Sequence, residues 1–204
     1  MDYEQASAHV AEVDPAFEPL IRTVGPFSPR PPDGDPCNAL ARAIVYQQLA
    51  GRAAHAIHTR FVGLYDGHPT AETILATSME QLKTVGLSTN KAMSILDLAA
   101  KTADGTVPLE RIEDLQDQEV IDRLTAVRGI GRWTAEMFLL FHLRRLDVWP
   151  VDDYGVRKGF ATIHRMAEAP TPKALQPLGD IYRPYRSVAA WYCWRAVDTV
   201  LPEA

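Results

Sequence analysis

Cysteine is scarce in this chain of 204 residues: Cys37 and Cys193 are the whole complement. They stand far apart, each within an apolar helical pattern, which fits buried free thiols rather than a disulfide framework. Long apolar runs are missing as well. None approaches the roughly 18 residues of a membrane-spanning helix. The N-terminal MDYEQASAHVAEVD lacks the positive-then-apolar order of a secretory signal. A cytoplasmic protein with no membrane partner is expected. Strand signals are nearly absent too, and VWPV (148–151) carries a proline and reads as a loop.

A surplus of positive charge is also lacking, since the net charge is −5. The imbalance is local. Residues 1–35 hold seven acids and two arginines, which accounts for all of it; the remainder carries 19 bases against 19 acids. Residues 124–165 are locally basic, with seven Lys/Arg and four Asp/Glu. Overall acidity therefore leaves a polyanionic partner open, and predicts modest, salt-sensitive affinity for one.

What the chain does have is helix punctuation. Asp14-Pro15 opens a segment that ends before Gly25, with Asp14 as N-cap and proline in the first turn. Asp35-Pro36 repeats the device, and residues 37–65 then place apolar side chains at three-to-four spacing. Ser78 to Gln81 has the form of a capping box, and Ser88 precedes the periodic stretch 91–103. Segments 118–127, 133–143, 153–164, 172–182 and 186–198 share the helical pattern. The proline-rich stretch 25–36 is a loop too short to separate independent units. An all-α protein of about ten helices follows.

One corner stands out. LTAVRGIGRWTAEMF (124–138) reads as helix, Gly-Ile-Gly, helix. Gly129 and Gly131 are free to take positive φ and to let another backbone approach closely. Ile130 between them would plug inward. The amides of Gly129, Gly131 and Arg132 would then face outward at a helix N-terminus, a seat for phosphate that needs no charged side chain. The plainer reading is a structural turn between two helices.

The residues that follow extend the pattern. The form L-x-x-x-x-G-I-G-x-x-T-A resembles the helix-hairpin-helix motif of DNA-binding proteins, here about 119–143. About twenty residues on comes WPVDDYGVRKGF (149–160), a proline loop with an aspartate at a helix start. The combination resembles the helix-hairpin-helix DNA glycosylase superfamily. GRWTA with DDY looks like its DNA-3-methyladenine glycosylase II branch, and QQLAGRAA (47–54) and RPYRSVAAWYCWR (183–195) support that. The chain is similar to the compact members that lack an N-terminal β-rich domain. The resemblance implies a single unit over 1–204, two intertwined helical lobes with a cleft between them. It also implies a monomer acting on double-stranded DNA that contains damaged bases, nucleoid-associated in a bacterium.

The resemblance places the catalytic aspartate at Asp153, with Asp152 a cap or solvated neighbour, although adjacent aspartates before a helix are more often simply caps. A carboxylate there would stabilise the oxocarbenium character that develops as a base leaves deoxyribose, and align the attacking water. Members that cut the strand carry a lysine two positions past the last hairpin glycine. Trp133 stands there, so a monofunctional enzyme without lyase activity is expected. Trp133 and Trp194 match stacking positions for a flipped cationic base, with Tyr46 and Trp191 as further candidates and Met137 where larger relatives carry an aromatic. Any one tryptophan is more often core. Gln48 aligns with the intercalating wedge, with Leu49 in reserve, unless the glutamines only satisfy a helix break. Arg128, Arg132, Thr134 and Lys91 join the hairpin glycines as DNA contacts, though basic side chains are often merely solvated.

His55 and His58 are too few for a metal site, and two distant cysteines do not make the superfamily's four-cysteine iron–sulfur cluster. No cofactor is expected to be required, with a monovalent cation allowed for at the hairpin. A glycosylase for oxidised or deaminated bases and a non-catalytic module for damaged DNA remain the alternatives.

Overall fold

The computed structural model describes residues 2–29, 31–32 and 34–198; Arg30 and Asp33, counted above in the N-terminal charge, lie outside the described residues. Among the described residues there are twelve α-helices, three short 3-10 turns and no strand. The helices are α1 (Tyr3–Val13), α2 (Glu18–Val24), α3 (Pro36–Tyr46), α4 (Gly51–Gly63), α5 (Ala71–Leu75) and α6 (Met79–Thr84). They continue as α7 (Thr89–Ala103), α8 (Asp117–Thr125), α9 (Arg132–Phe141), α10 (Tyr154–Ile163), α11 (Pro172–Leu178) and α12 (Arg186–Asp198). None is long and apolar enough to cross a membrane.

The capping residues act where the sequence puts them. Asp35 accepts from the Asn38 amide, and Ser88 caps α7. Ser78 and Gln81 exchange both bonds of a capping box. Asp14 caps a 3-10 turn (Pro15–Phe17) that leads into α2, which Gly25 ends at φ +80°. The continuous pattern over 37–65 is broken at Gln47–Ala50 into α3 and α4, and that over 172–182 is broken at Gly179. The pattern gave no signal for α1 or α5, which are capped by Asp2 and by Thr70 with Thr73.

Two compact units result, a terminal unit of residues 1–31 and 144–204 and a middle unit of residues 32–143. In the terminal unit α10 packs along α12. The approach is close because position 159 is glycine: a Cβ there would lie 1.8 Å from the Cys193 carbonyl oxygen. Phe17 meets Tyr182 and Tyr192 edge-on in this core, and buried Trp149 donates its Nε1–H to the Leu175 carbonyl. In the middle unit α7 packs against α3, α5 and α6, and α8 pairs with α9. Leu40, Ile44, Phe61, Ile95, Leu98, Leu124 and Leu139 are fully buried. Each such side chain contributes about 1.5–3 kcal/mol relative to exposure. Both cysteines are free and buried. Burial, with the Asp35 charge beside it, pushes the Cys37 thiol up to about 12. Cys193 is pushed well above its usual value, chiefly by burial.

Candidate active site and nucleic-acid interface

The glycine corner joins α8 to α9 in the middle unit. Ile130 is buried at 4% exposure, as a plug should be. Gly129 takes φ +77°, the left-handed region that side chains resist. Gly131 does not share that conformation: it is the extended N-cap of α9 at φ −94°, ψ 172°, and has no side chain to cap with. The expectation of positive φ thus holds at one glycine of the two. Gly131 is needed by no backbone strain and no neighbour, since a Cβ there would meet nothing within 4 Å. The N–H groups of Gly129, Gly131 and Arg132 find no acceptor among the described residues. They stand at the positive end of the α9 dipole.

The turn is held from behind by groups the sequence reading did not assign. Asp97 on α7 accepts from the Arg128 N–H at 2.7 Å. Gln47 donates its Nε2–H to the Gly129 carbonyl at 2.8 Å. Ser94 fills the space beneath Gly129. Burial alone would raise the Asp97 pKa. The Arg128 N–H bond, the Lys101 bond and both positive charges overcome that and hold it below its ordinary value.

Several candidates take other places. Lys91, expected at phosphate, donates its ammonium to the Val45 and Gln47 carbonyls, closing the C-terminus of α3. Burial lowers its pKa. Arg132 is paired to Glu136 one turn on, and Arg128 reaches Asn90. The Thr134 side chain is buried, so only its first-turn amide is left to offer to a phosphate. Gln48 is exposed in the left-handed region at φ +57°, while its neighbour Gln47 does the tethering. Leu49 beside it is 39% exposed. On the same unit Trp133 is 46% exposed in the first turn of α9, and Met137 is half-buried one turn on. One face of the Tyr46 ring already carries the Arg42 guanidinium at 4.2 Å, and its edge meets His58. His58 is itself bonded to Asn38, and His55 is exposed.

Asp153 belongs to the terminal unit. It is the extended N-cap of α10, and its Oδ1 accepts from the Val156 N–H at 2.8 Å and from the Trp194 indole N–H at 2.9 Å. Asp153 is thus itself the cap, and Asp152, expected as a cap or a solvated neighbour, is exposed. Trp194, foreseen as a stacking ring, is committed through its edge to the carboxylate. Trp191 is packed against the terminal core, with the Phe27 ring at its edge and the Arg195 guanidinium over its face. Tyr154, part of the DDY pattern but given no role there, is 63% exposed next to Asp153. The loop before Asp153 is clamped by the start of α12. Arg186 makes two side-chain bonds to the Asp147 carboxylate and one to its carbonyl. Buried Ser187 accepts from Val148 N–H and donates to the Arg145 carbonyl. The Arg-Ser pair was visible as a motif but carried no role.

The middle unit thus gathers the hairpin amides, Gln48 and Trp133, and the terminal unit gathers Asp153, Trp194 and Tyr154. Comparison with known proteins gives the arrangement its setting. The family model described as HhH-GPD superfamily base excision DNA repair protein matches residues 41–183. The DNA-3-methyladenine glycosylase 1 of Schizosaccharomyces pombe is 37% identical over 196 residues, spanning 94% of this chain and 86% of that protein. A structure of the 3-methyladenine DNA glycosylase of that yeast in complex with abasic DNA superposes with a TM-score of 0.85 at 36% identity, covering 98% of this chain and 100% of the other. A crystal structure of a DNA-3-methyladenine glycosidase from Bacillus halodurans gives 0.87 at 34% identity, covering 97% and 90%.

Proposed function

The chain belongs to the HhH-GPD superfamily of base excision DNA repair proteins, and from that membership we propose a monofunctional DNA glycosylase that excises alkylated, 3-methyladenine-type purines from duplex DNA. The hairpin amides seat the phosphate backbone, Gln48 fills the gap in the stack, and the extruded nucleotide presents its sugar to Asp153. Extrusion costs a few kcal/mol, least for a damaged pair. The half-exposed Trp133 face adds about 0.5–2 kcal/mol by cation–π attraction when the base is positively charged.

The observation that carries the reading is the carboxylate of Asp153, aimed by two N–H donors converging on Oδ1. As the C1′–N bond lengthens, the electron pair leaves with the base and positive charge grows on the sugar. A fixed anion stabilises that charge. Water then adds to C1′ and passes a proton to the Asp153 carboxylate, which returns it to solvent. An alkylated purine already carries positive charge and leaves neutral, so a single carboxylate suffices. Trp133, at the position where strand-cutting relatives carry lysine, has no amine to form an imine. The Lys91 ammonium, held on two carbonyls, is also turned away from such a role. Neither metal nor cofactor is called for by this chemistry, and a monovalent cation at the hairpin would only assist the grip. The protein acts as a monomer in this reading.

A duplex carrying one 3-methyladenine, incubated with the protein and then heated in alkali, tests it. Strand breaks only after alkali are expected. Breaks before alkali would remove the monofunctional assignment. Release confined to oxidised or deaminated bases would move the substrate class, and tight binding with no release would leave a damage-binding module.

A further inference from the structure

Resting on the glycosylase reading, we propose that Gly155 is a positioning residue: it reserves the space in which Trp194 reaches Asp153. A Cβ built at residue 155 would lie 2.8 Å from Trp194 Cδ1, 3.1 Å from its Nε1 and 3.0 Å from Asp153 Oδ1. Those three atoms are the donor, the carbon bonded to it and the acceptor of one hydrogen bond. Any side chain at this position therefore stands against the line on which the indole N–H meets the carboxylate.

Trp194 has little room to back away. Its neighbour Cys193 is in backbone contact with Gly159, one turn further along α10, so the spacing of the two helices is pinned there. The remaining response is rotation of the indole, which breaks the bond to Asp153. Gly155 is not used for an unusual backbone conformation, since it lies outside the left-handed region. As the second residue of α10 it would serve the helix better as alanine. What glycine supplies is the missing Cβ.

The consequence reaches the reacting atoms through Asp153. The indole N–H and the Val156 N–H both fix Oδ1, and loss of the indole bond loosens the aim of the carboxylate. Stabilisation of developing charge depends on that aim, and a misplacement of about 1 Å costs on the order of 100-fold in rate.

The test uses Gly155→Ala, Trp194→Phe and the double variant in the full-length protein. Single-turnover release of 3-methyladenine, affinity for an abasic duplex, and the indole N–H resonances in a proton–nitrogen spectrum without DNA are measured. Gly155→Ala is expected to slow release about 10- to 100-fold and to keep duplex affinity within about twofold. It should also shift the Trp194 indole resonance, identified by its loss in Trp194→Phe, and hasten its exchange with solvent. Trp194→Phe adds no atoms to α10 and should reproduce the slow release, so the inference survives a misfolded Gly155→Ala. In the double variant the second change should cost nothing further, because the bond is already gone. Additive losses, or an unmoved indole with wild-type release in Gly155→Ala, would overturn the proposal and leave the glycosylase reading intact. A displaced indole in a protein whose wild type releases no base would overturn that reading instead, and with it any catalytic meaning of the position.

Discussion

Replacing each hairpin glycine by alanine separates a strained backbone from an open surface proposed to meet DNA. At Gly129 the φ of +77° costs a residue with a Cβ about 1–2 kcal/mol. The new methyl would also lie 2.7 Å from the Ser94 hydroxyl. Ser94 yields by rotating away from the Asn90 carbonyl, which it now bonds at 3.0 Å, and that loss adds about 0.5–1.5 kcal/mol. The sum is about 1.5–3.5 kcal/mol, or a fall in Tm of roughly 3–14 °C for a chain of this size. At Gly131 the conformation suits alanine and the space is open, so the change should stay within about 0.5 kcal/mol. Its effect should appear only with DNA. A methyl at the mouth of the α9 N-terminus keeps a phosphate from the amides, and a hydrogen bond to a charged group is worth about 1.5–3 kcal/mol. Affinity should drop by at least about tenfold, equally for every sequence. Thermal melting and fluorescence anisotropy on a labelled abasic duplex measure the two effects. Ser94→Ala should recover part of the stability lost in Gly129→Ala. If Gly131→Ala melts as low as Gly129→Ala, or binds duplex like wild type, the account of the corner is wrong.

Two further changes probe the groups behind the corner. Asp97→Ala leaves the Arg128 N–H without its acceptor and should lower stability by about 1 kcal/mol, checked by urea unfolding. Because the Asp97 pKa is depressed in the folded state, its contribution is complete above the unfolded value of about 3.9 and is lost as pH falls through the lower, folded value. Asp97→Asn should therefore lower stability at neutral pH, where the charged contribution is present, and its difference from wild type should close as pH falls below about 4. Lys91→Met should lower the Tm by uncapping α3 while leaving the salt dependence of duplex binding unaltered. A slope reduced by about 0.9 in log–log form would instead make Lys91 a phosphate contact.

The sequence shows its helices best where a polar cap precedes an apolar period. Asp35, Ser78 and Ser88 were legible because a cap acts on an amide two or three residues away. Helix α1 escaped notice because its buried face is built from the small Ala6 and Ser7 with Val10, too weak a period to stand out. The hairpin turn was legible for the same local reason, since it is written in consecutive residues; Asp153 was placed by the resemblance, and the structure makes it the N-cap of α10. Their supports were not legible. Asp97 meets Arg128 across 31 residues, Trp194 meets Asp153 across 41, and Gln47 meets Gly129 across 82. Such partners are chosen by helix packing, not by spacing. The same packing reassigned Lys91 and Trp191, whose residue types suited the roles expected of them but whose surroundings had already taken up the ammonium and the ring.

Single-turnover base release by Asp153→Asn tests the central claim most directly. The amide keeps an oxygen for the Val156 and Trp194 donors, so both of those bonds survive while the negative charge is removed. Release of 3-methyladenine should fall by about 10²- to 10⁴-fold, with affinity for the abasic duplex equal to wild type or higher. Release at close to the wild-type rate, from a variant that still binds duplex, would contradict the role given to that carboxylate.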